Sequence, residues 1–281
     1  MWLVFTLFSA VLWGVGQIVI KKGYQNLSPL FNNVLASLLI VLMMIPIALS
    51  HGIHPERILS ILPLTIVVAI IFLSYYYVIR LGQVAFTGTI ISTGPIITAT
   101  LSIIFLHEIL SVFQIVAIGL VLVGIICLAM PEKISEVKNM KVGSWLWWAL
   151  FTAIILGLAD FLIKLLITQS DVYTYLFTYG LCNFAASFLS IFFDKKGRAL
   201  PSFSWKSYAP TVIGVTIMEV AFVSFHFALS GGLASIVTPI SSLYVGITAV
   251  LAWLILKEKI DKIHFFGIAC AAIGVILVGI S

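Results

Sequence analysis

Residues 105–128 (FLHEILSVFQIVAIGLVLVGIICL) and 255–278 (ILKEKIDKIHFFGIACAAIGVILV) decide how this sequence folds. Each ends an apolar run at a glutamate, Glu108 or Glu258, and breaks. Each restarts three positions later at Ser111 or Asp261, whose side-chain oxygen can accept from the otherwise unpaired amides of a new helix. The likeness extends outward on both sides. Residues 80–129 lie over 230–279 without a gap and share 12 identities in 50 positions. Further upstream, residues 12–23 (LWGVGQIVIKKG) parallel residues 155–166 (ILGLADFLIKLL), with Gly14 over Gly157, Gln17 over Asp160 and Lys21 over Lys164. The chain reads as a duplication: a first unit over 1–130, a linker over 131–142 and a second unit over 143–281.

Hydrophobic residues make up 62% of the 281 positions and charged residues 9%, where soluble domains carry roughly a quarter. The apolar runs are unbroken rather than alternating, which excludes a β-barrel and gives an all-α integral membrane class. A spanning helix needs about 20 residues, and ten such helices are predicted, near 2–20, 30–50, 59–79, 84–106, 111–130, 144–163, 172–193, 208–228, 232–256 and 262–280. With five helices per unit, the second unit enters the membrane from the opposite side, so the repeats are inverted. Of the 15 Lys and Arg, 13 fall in connections on one face, and only Arg57 and Lys164 on the other. The positive-inside rule places the richer face in the cytoplasm and both termini outside, in a plasma or inner membrane. No basic segment precedes the first apolar run, so helix 1 is expected to be retained.

The net charge of +5 lies in helix connections, where it sets topology rather than marking a nucleic-acid surface. Cys127, Cys182 and Cys270 sit inside apolar runs at unrelated spacings, which suggests neither disulfides nor a metal site. No cofactor is expected.

Ten short helices in two inverted halves, Trp13–Gly14 followed by Lys21 in helix 1, and the Glu108 and Glu258 breaks together resemble the drug/metabolite transporter superfamily, specifically two EamA-type repeats. The resemblance spans the whole chain. It implies a secondary transporter or exporter with a central cavity, carrying a small solute such as an amino acid, a sugar or a drug-like compound by alternating access. Leu156 stands where the first repeat has Trp13, a departure from any paired aromatic clamp.

Ionisable groups deep in a membrane are functional candidates by default, because an unpaired charge there is costly. Glu219 stands about eleven residues into helix 8, near the midplane at about 1.5 Å per residue, as a candidate proton carrier or ligand for a substrate amine. His226, seven positions on, falls on the same face. Asp160 and Lys164 are spaced to pair directly, toward the outer end of helix 6, and Gln17 is the repeat equivalent of Asp160 at the opposite end. Trp13 is a candidate wall of the cavity. Tyr75 and Tyr76 align with Phe225 and His226. Pro95, beside Thr93 in helix 4, and Pro239 in helix 9 remove backbone hydrogen bonds and can kink moving helices. The glycines of helices 5 and 10 are expected to permit close packing.

Three other readings share the composition: an uncoupled exchanger, a lipid flippase of the same fold, and a membrane enzyme acting on a lipid phosphate. The enzyme would need clustered Arg, His or carboxylates, or a metal, and only isolated groups are found. The expected partners are a small-molecule substrate, the bilayer and, as a coupling ion, protons.

Overall fold

The computed structural model describes residues 1–21, 28–81, 93–129, 144–194, 205–256 and 262–280. These form helices α1 (Trp2–Lys21), α2 (Pro29–His51), α3 (Pro55–Leu81), α4 (Gly94–Phe105), α5 (Val112–Ala129), α6 (Ser144–Gln169), α7 (Val172–Phe193), α8 (Trp205–Gly231), α9 (Ala234–Ser241), α10 (Tyr244–Leu256) and α11 (Lys262–Ile280). Among the described residues there is no strand. By length and composition seven of these helices can cross a membrane, while α4, α5 and the α9–α10 pair contribute shorter apolar segments.

Local chemistry sets the helix starts. Ser28 caps α2 by accepting from the Phe31 amide at 3.2 Å, with Pro29 in the first turn, where its missing N–H costs nothing. Asp171 caps α7 by accepting from the Tyr173 and Thr174 amides at 2.8 and 2.9 Å. The two caps are 143 positions apart, the offset that relates Gly14 to Gly157. Ser111 caps α5 as expected: its hydroxyl accepts from the Gln114 amide at 3.2 Å, and Gln114 Oε1 accepts from the Ser111 amide at 3.0 Å, a reciprocal capping box. Asp261 and Glu258 lie outside the described residues.

Of the two prolines singled out, Pro95 departs from the expectation and Pro239 lies just before a helix break. Pro95 stands in the first turn of α4, so it starts that helix instead of kinking its middle; residues 84–92 are outside the described set. The span expected over 232–256 is two helices, with Pro239 inside α9 and a break at Ser242–Leu243 before α10 begins. The break is a tightened turn beside a cavity: the Ser242 amide donates to the Thr238 carbonyl, the Leu243 amide to the Ile240 carbonyl and the Val245 amide to the Ser242 carbonyl, each at 3.1 Å.

The helices pack as though exchanged by a two-fold axis. α1 lies along α8 as α3 lies along α6; α1 meets α9 and α10 as α6 meets α4; α2 crosses α7, and α5 crosses α11. The match reaches single atoms. A Cβ on Gly157 would stand 2.5 Å from the Gly94 carbonyl oxygen and 2.7 Å from Ile97 Cβ; one on Gly14 would stand 2.6 Å from Ile247 Cγ2 and 3.3 Å from the Tyr244 carbonyl oxygen. Residues 94 and 97 are the repeat equivalents of 244 and 247. Across the same contacts the Thr98 hydroxyl donates to the Gly157 carbonyl at 2.9 Å, and the Thr248 hydroxyl to the Gly14 carbonyl at 3.4 Å. Gly124, Gly267 and Gly274 also leave no room for a Cβ, whereas Gly119 faces open space.

The largest core groups buried aromatics and aliphatics of α2, α3, α6, α7 and α8, among them Tyr175, Tyr179, Leu166 and Phe225. Outward faces are apolar as well: Leu42, Ile70, Ile104, Val112, Phe192 and Ile276 are exposed, as surfaces solvated by lipid require.

Candidate solute cavity

A cavity of about 160 Å³ opens where α1, α2, α3, α4, α6, α7, α8, α9 and α10 converge. A single buried water needs about 10–15 Å³ on the same measure, so the space suits a small solute. Of the residues singled out from sequence, Trp13, Gln17, Pro95, Asp160 and Glu219 line it.

Others do not. His226 is fully buried, stacked on Tyr175 with ring centroids 5.3 Å apart and edge-on to Phe222 at 4.3 Å. Its Nδ1–H donates to the Phe222 carbonyl at 2.6 Å. It shares a helical face with Glu219, but these rings fill the space in front of it. Pro239 is buried within α9, and Thr93 precedes the first turn of α4; neither belongs to the lining. The side chains of Tyr75 and Tyr76 lie outside the described residues.

Asp160 and Lys164 do not pair. Lys164 Nζ turns away and donates to the Leu229 and Gly232 carbonyls at 2.7 and 2.8 Å, closing the C-terminus of α8, where a cation is favoured. Gln17 and Asp160, equivalent positions of the two halves, both line the one cavity. Glu108, read from sequence as the end of a helix, is instead a buried ligand for α9. Its carboxylate accepts from the Ala234 and Ser235 amides at 2.8 and 2.9 Å and from the Ser235 hydroxyl.

Several lining residues were not anticipated. Asn33 of α2 donates its amide to the Leu73 carbonyl at 3.1 Å. Tyr179 and Asn183 of α7 form an i, i+4 pair in which the Asn183 amide donates to the Tyr179 hydroxyl oxygen at 3.2 Å. The phenol proton therefore stays available for another acceptor. Phe72 meets Phe222 edge-on at 5.0 Å, and Trp13 packs against Phe225 and Tyr244 at 5.2 and 6.0 Å. A signal for them existed in the repeat. Positions 13 and 156, 17 and 160, 36 and 179, 40 and 183, 72 and 222, and 94 and 244 are equivalent between the halves, and both members of every pair line the cavity.

The sequence pattern of the EamA-like transporter family matches residues 1–130 and again 143–280. The chain belongs to the EamA-like transporter family. This EamA-like protein is a multi-pass membrane transporter of the drug/metabolite type. Over 130 residues, 45% of the chain, it is 31% identical to the uncharacterized protein MJ1333.1 of Methanocaldococcus jannaschii, covering 94% of that relative. Its fold is similar to that of a protein of known crystal structure at a TM-score of 0.78, with 13% identity, over 99% of this chain and 96% of the other. That likeness concerns fold alone.

Proposed function

We propose that this EamA-like protein is a secondary transporter that moves a small solute through the cavity by alternating access, with Glu219 as the residue that couples transport to protons. The observation that carries the reading is the paired lining, in which equivalent positions of the two halves meet around one space. A site on a pseudo-two-fold axis can be opened to either side by the same motion applied to either half. The family pattern, occurring once per half, and a relative little longer than 130 residues support two units, 1–130 and 143–281; the odd number of helices expected per unit and the Lys and Arg bias support insertion in opposite senses with both termini on the outer side of the cell membrane.

Glu219 is suited to coupling because it is only 6% exposed and lines the cavity, while its repeat equivalent is Ala69. One half therefore supplies a carboxyl and the other none. Proton coupling is tested by reconstituting the wild type and Glu219→Gln in liposomes and imposing a pH gradient. Solute uptake by the wild type should follow the gradient, and whatever uptake the variant retains should not. Full gradient-driven transport by Glu219→Gln would overturn the coupling role, and wild-type uptake that ignores the gradient would leave an uncoupled exchanger.

A further inference from the structure

The cavity's polar chemistry is unevenly divided. The second half contributes two carboxyls, Asp160 on α6 and Glu219 on α8, together with Tyr179 and Asn183; the first half contributes the side-chain amides of Gln17 and Asn33. Among the described residues neither Asp160 nor Glu219 has a hydrogen-bond or ion-pair partner within the protein, and none of the described lining residues is Lys, Arg or His. The two basic side chains nearest in sequence are engaged elsewhere: Lys164 on the α8 terminus and His226 behind Phe222. A pair of carboxyls in a low-dielectric space without a protein cation is stabilised by protons or by a positively charged guest.

The rest of the wall narrows the guest. Trp13, Phe72, Phe222 and Tyr244 present aromatic rings to the same space. Ring faces attract cations and suit flat apolar bodies. An anion would meet two carboxyls and no described counter-charge, and the carboxylate of a zwitterion would find only side-chain amides and hydroxyls. Resting on the transporter reading above, we propose that the solute of this cavity is an organic cation: an ammonium or quaternary-ammonium head held at Asp160 and Glu219, and an aromatic or apolar body against the rings around Trp13.

The test uses the purified full-length protein in detergent and four probes of similar size: phenyltrimethylammonium, phenylalanine, benzyl alcohol and benzoate. Calorimetric titration should rank the quaternary cation first by at least tenfold in Kd, and benzoate last. Because the cation has no titratable proton, its preference reports on charge rather than on protonation of the guest. Asp160→Asn and Glu219→Gln should each weaken phenyltrimethylammonium about tenfold and leave benzyl alcohol within twofold. Equal binding of the neutral or zwitterionic probe by the wild type overturns the proposal without needing any variant to fold. So does unchanged cation affinity in both variants, provided that they elute as the wild type does on size exclusion. Counterflow of the same probes in liposomes separates the two readings. Binding of the cation without movement would sink the transport reading and keep the cation site; movement of phenylalanine or benzyl alcohol in preference to the cation would do the reverse.

Discussion

Lys164 and Glu108 hold one turn from its two electrical ends. The ammonium binds the Leu229 and Gly232 carbonyls where α8 stops, and the carboxylate binds the Ala234 and Ser235 amides where α9 starts. Each charge faces the helix pole of opposite sign. The residues come from different halves of the chain, so the turn is a place where the halves are fastened together. Lys164→Met keeps the aliphatic stem and removes the donor, leaving two carbonyls short of a partner. We expect a loss of about 2–4 kcal/mol, read as a lower midpoint of denaturant unfolding in detergent. Glu108→Ala should cost a similar amount, and a double-mutant cycle should return a coupling of about 0.5–3 kcal/mol, as for neighbours that share a structure. A Lys164→Met protein that unfolds at the wild-type midpoint would show that the clamp contributes nothing.

The helix contacts at Gly14 and Gly157 are equivalent in position but not in what they would meet. A methyl group on Gly157 collides with a backbone carbonyl oxygen at 2.5 Å, while one on Gly14 collides with Cγ2 and Cβ of Ile247 and stays 3.3 Å from the Tyr244 carbonyl oxygen. Overpacking costs about 1–3 kcal/mol; Gly157→Ala is expected at the upper end and Gly14→Ala below it. Gly119→Ala, into open space within α5, should stabilise by about 0.5–1 kcal/mol through helix propensity alone. Thermal melting of the three variants tests the order, and an equal loss in all three would contradict it.

Asp171 gives the fold a pH dependence at its membrane edge. Burial pushes the carboxyl up, but the Thr174 hydroxyl and the Thr174 and Tyr173 amides donate to it and hold it below the usual carboxylate range. A group with a lowered folded-state value contributes stability above its unfolded value, about 3.9 for Asp, and loses it as pH falls through the folded value. At pH 7 the wild type should melt above Asp171→Asn, and the gap should narrow below about pH 4. A gap that stays constant from pH 7 to pH 3 would assign the effect to cap geometry rather than to charge.

The helices, the Ser111 cap and the two-fold arrangement were legible because they depend on local pattern and on the repeat. The partners of charged groups were not. Spacing alone brings Asp160 and Lys164 onto one face of α6, yet the carbonyls of a neighbouring helix end compete for the ammonium, and a helix end cannot be located across space from one sequence. Glu108 was misread for the same reason, since its ligands lie 126 and 127 positions away. Tyr179 and Asn183 stood in an apolar span whose facing was unknown. Carrying the offsets of 143 and 150 through the whole chain would have paired Ala36 with Tyr179 and Ile40 with Asn183, and so pointed to them.

The two cations that break the charge bias across the membrane both serve helix ends: Arg57 donates to the Ser170 carbonyl just beyond α6, and Lys164 to the end of α8. Each sits where a helix pole of opposite sign favours it, a structural reason for its place on the face opposite the other 13 Lys and Arg, whose number favours the proposed orientation with outer termini. Labelling decides it. In a chain with Cys127, Cys182 and Cys270 replaced by Ala, His54→Cys, at an exposed position before α3, should react with an impermeant maleimide added to intact cells. Lys138→Cys, in the connection between the halves, should react only after the cells are permeabilised. The opposite pattern would reverse the topology, and with it the side of the membrane on which Lys164 and Glu108 close their turn, while leaving the paired cavity lining unchanged.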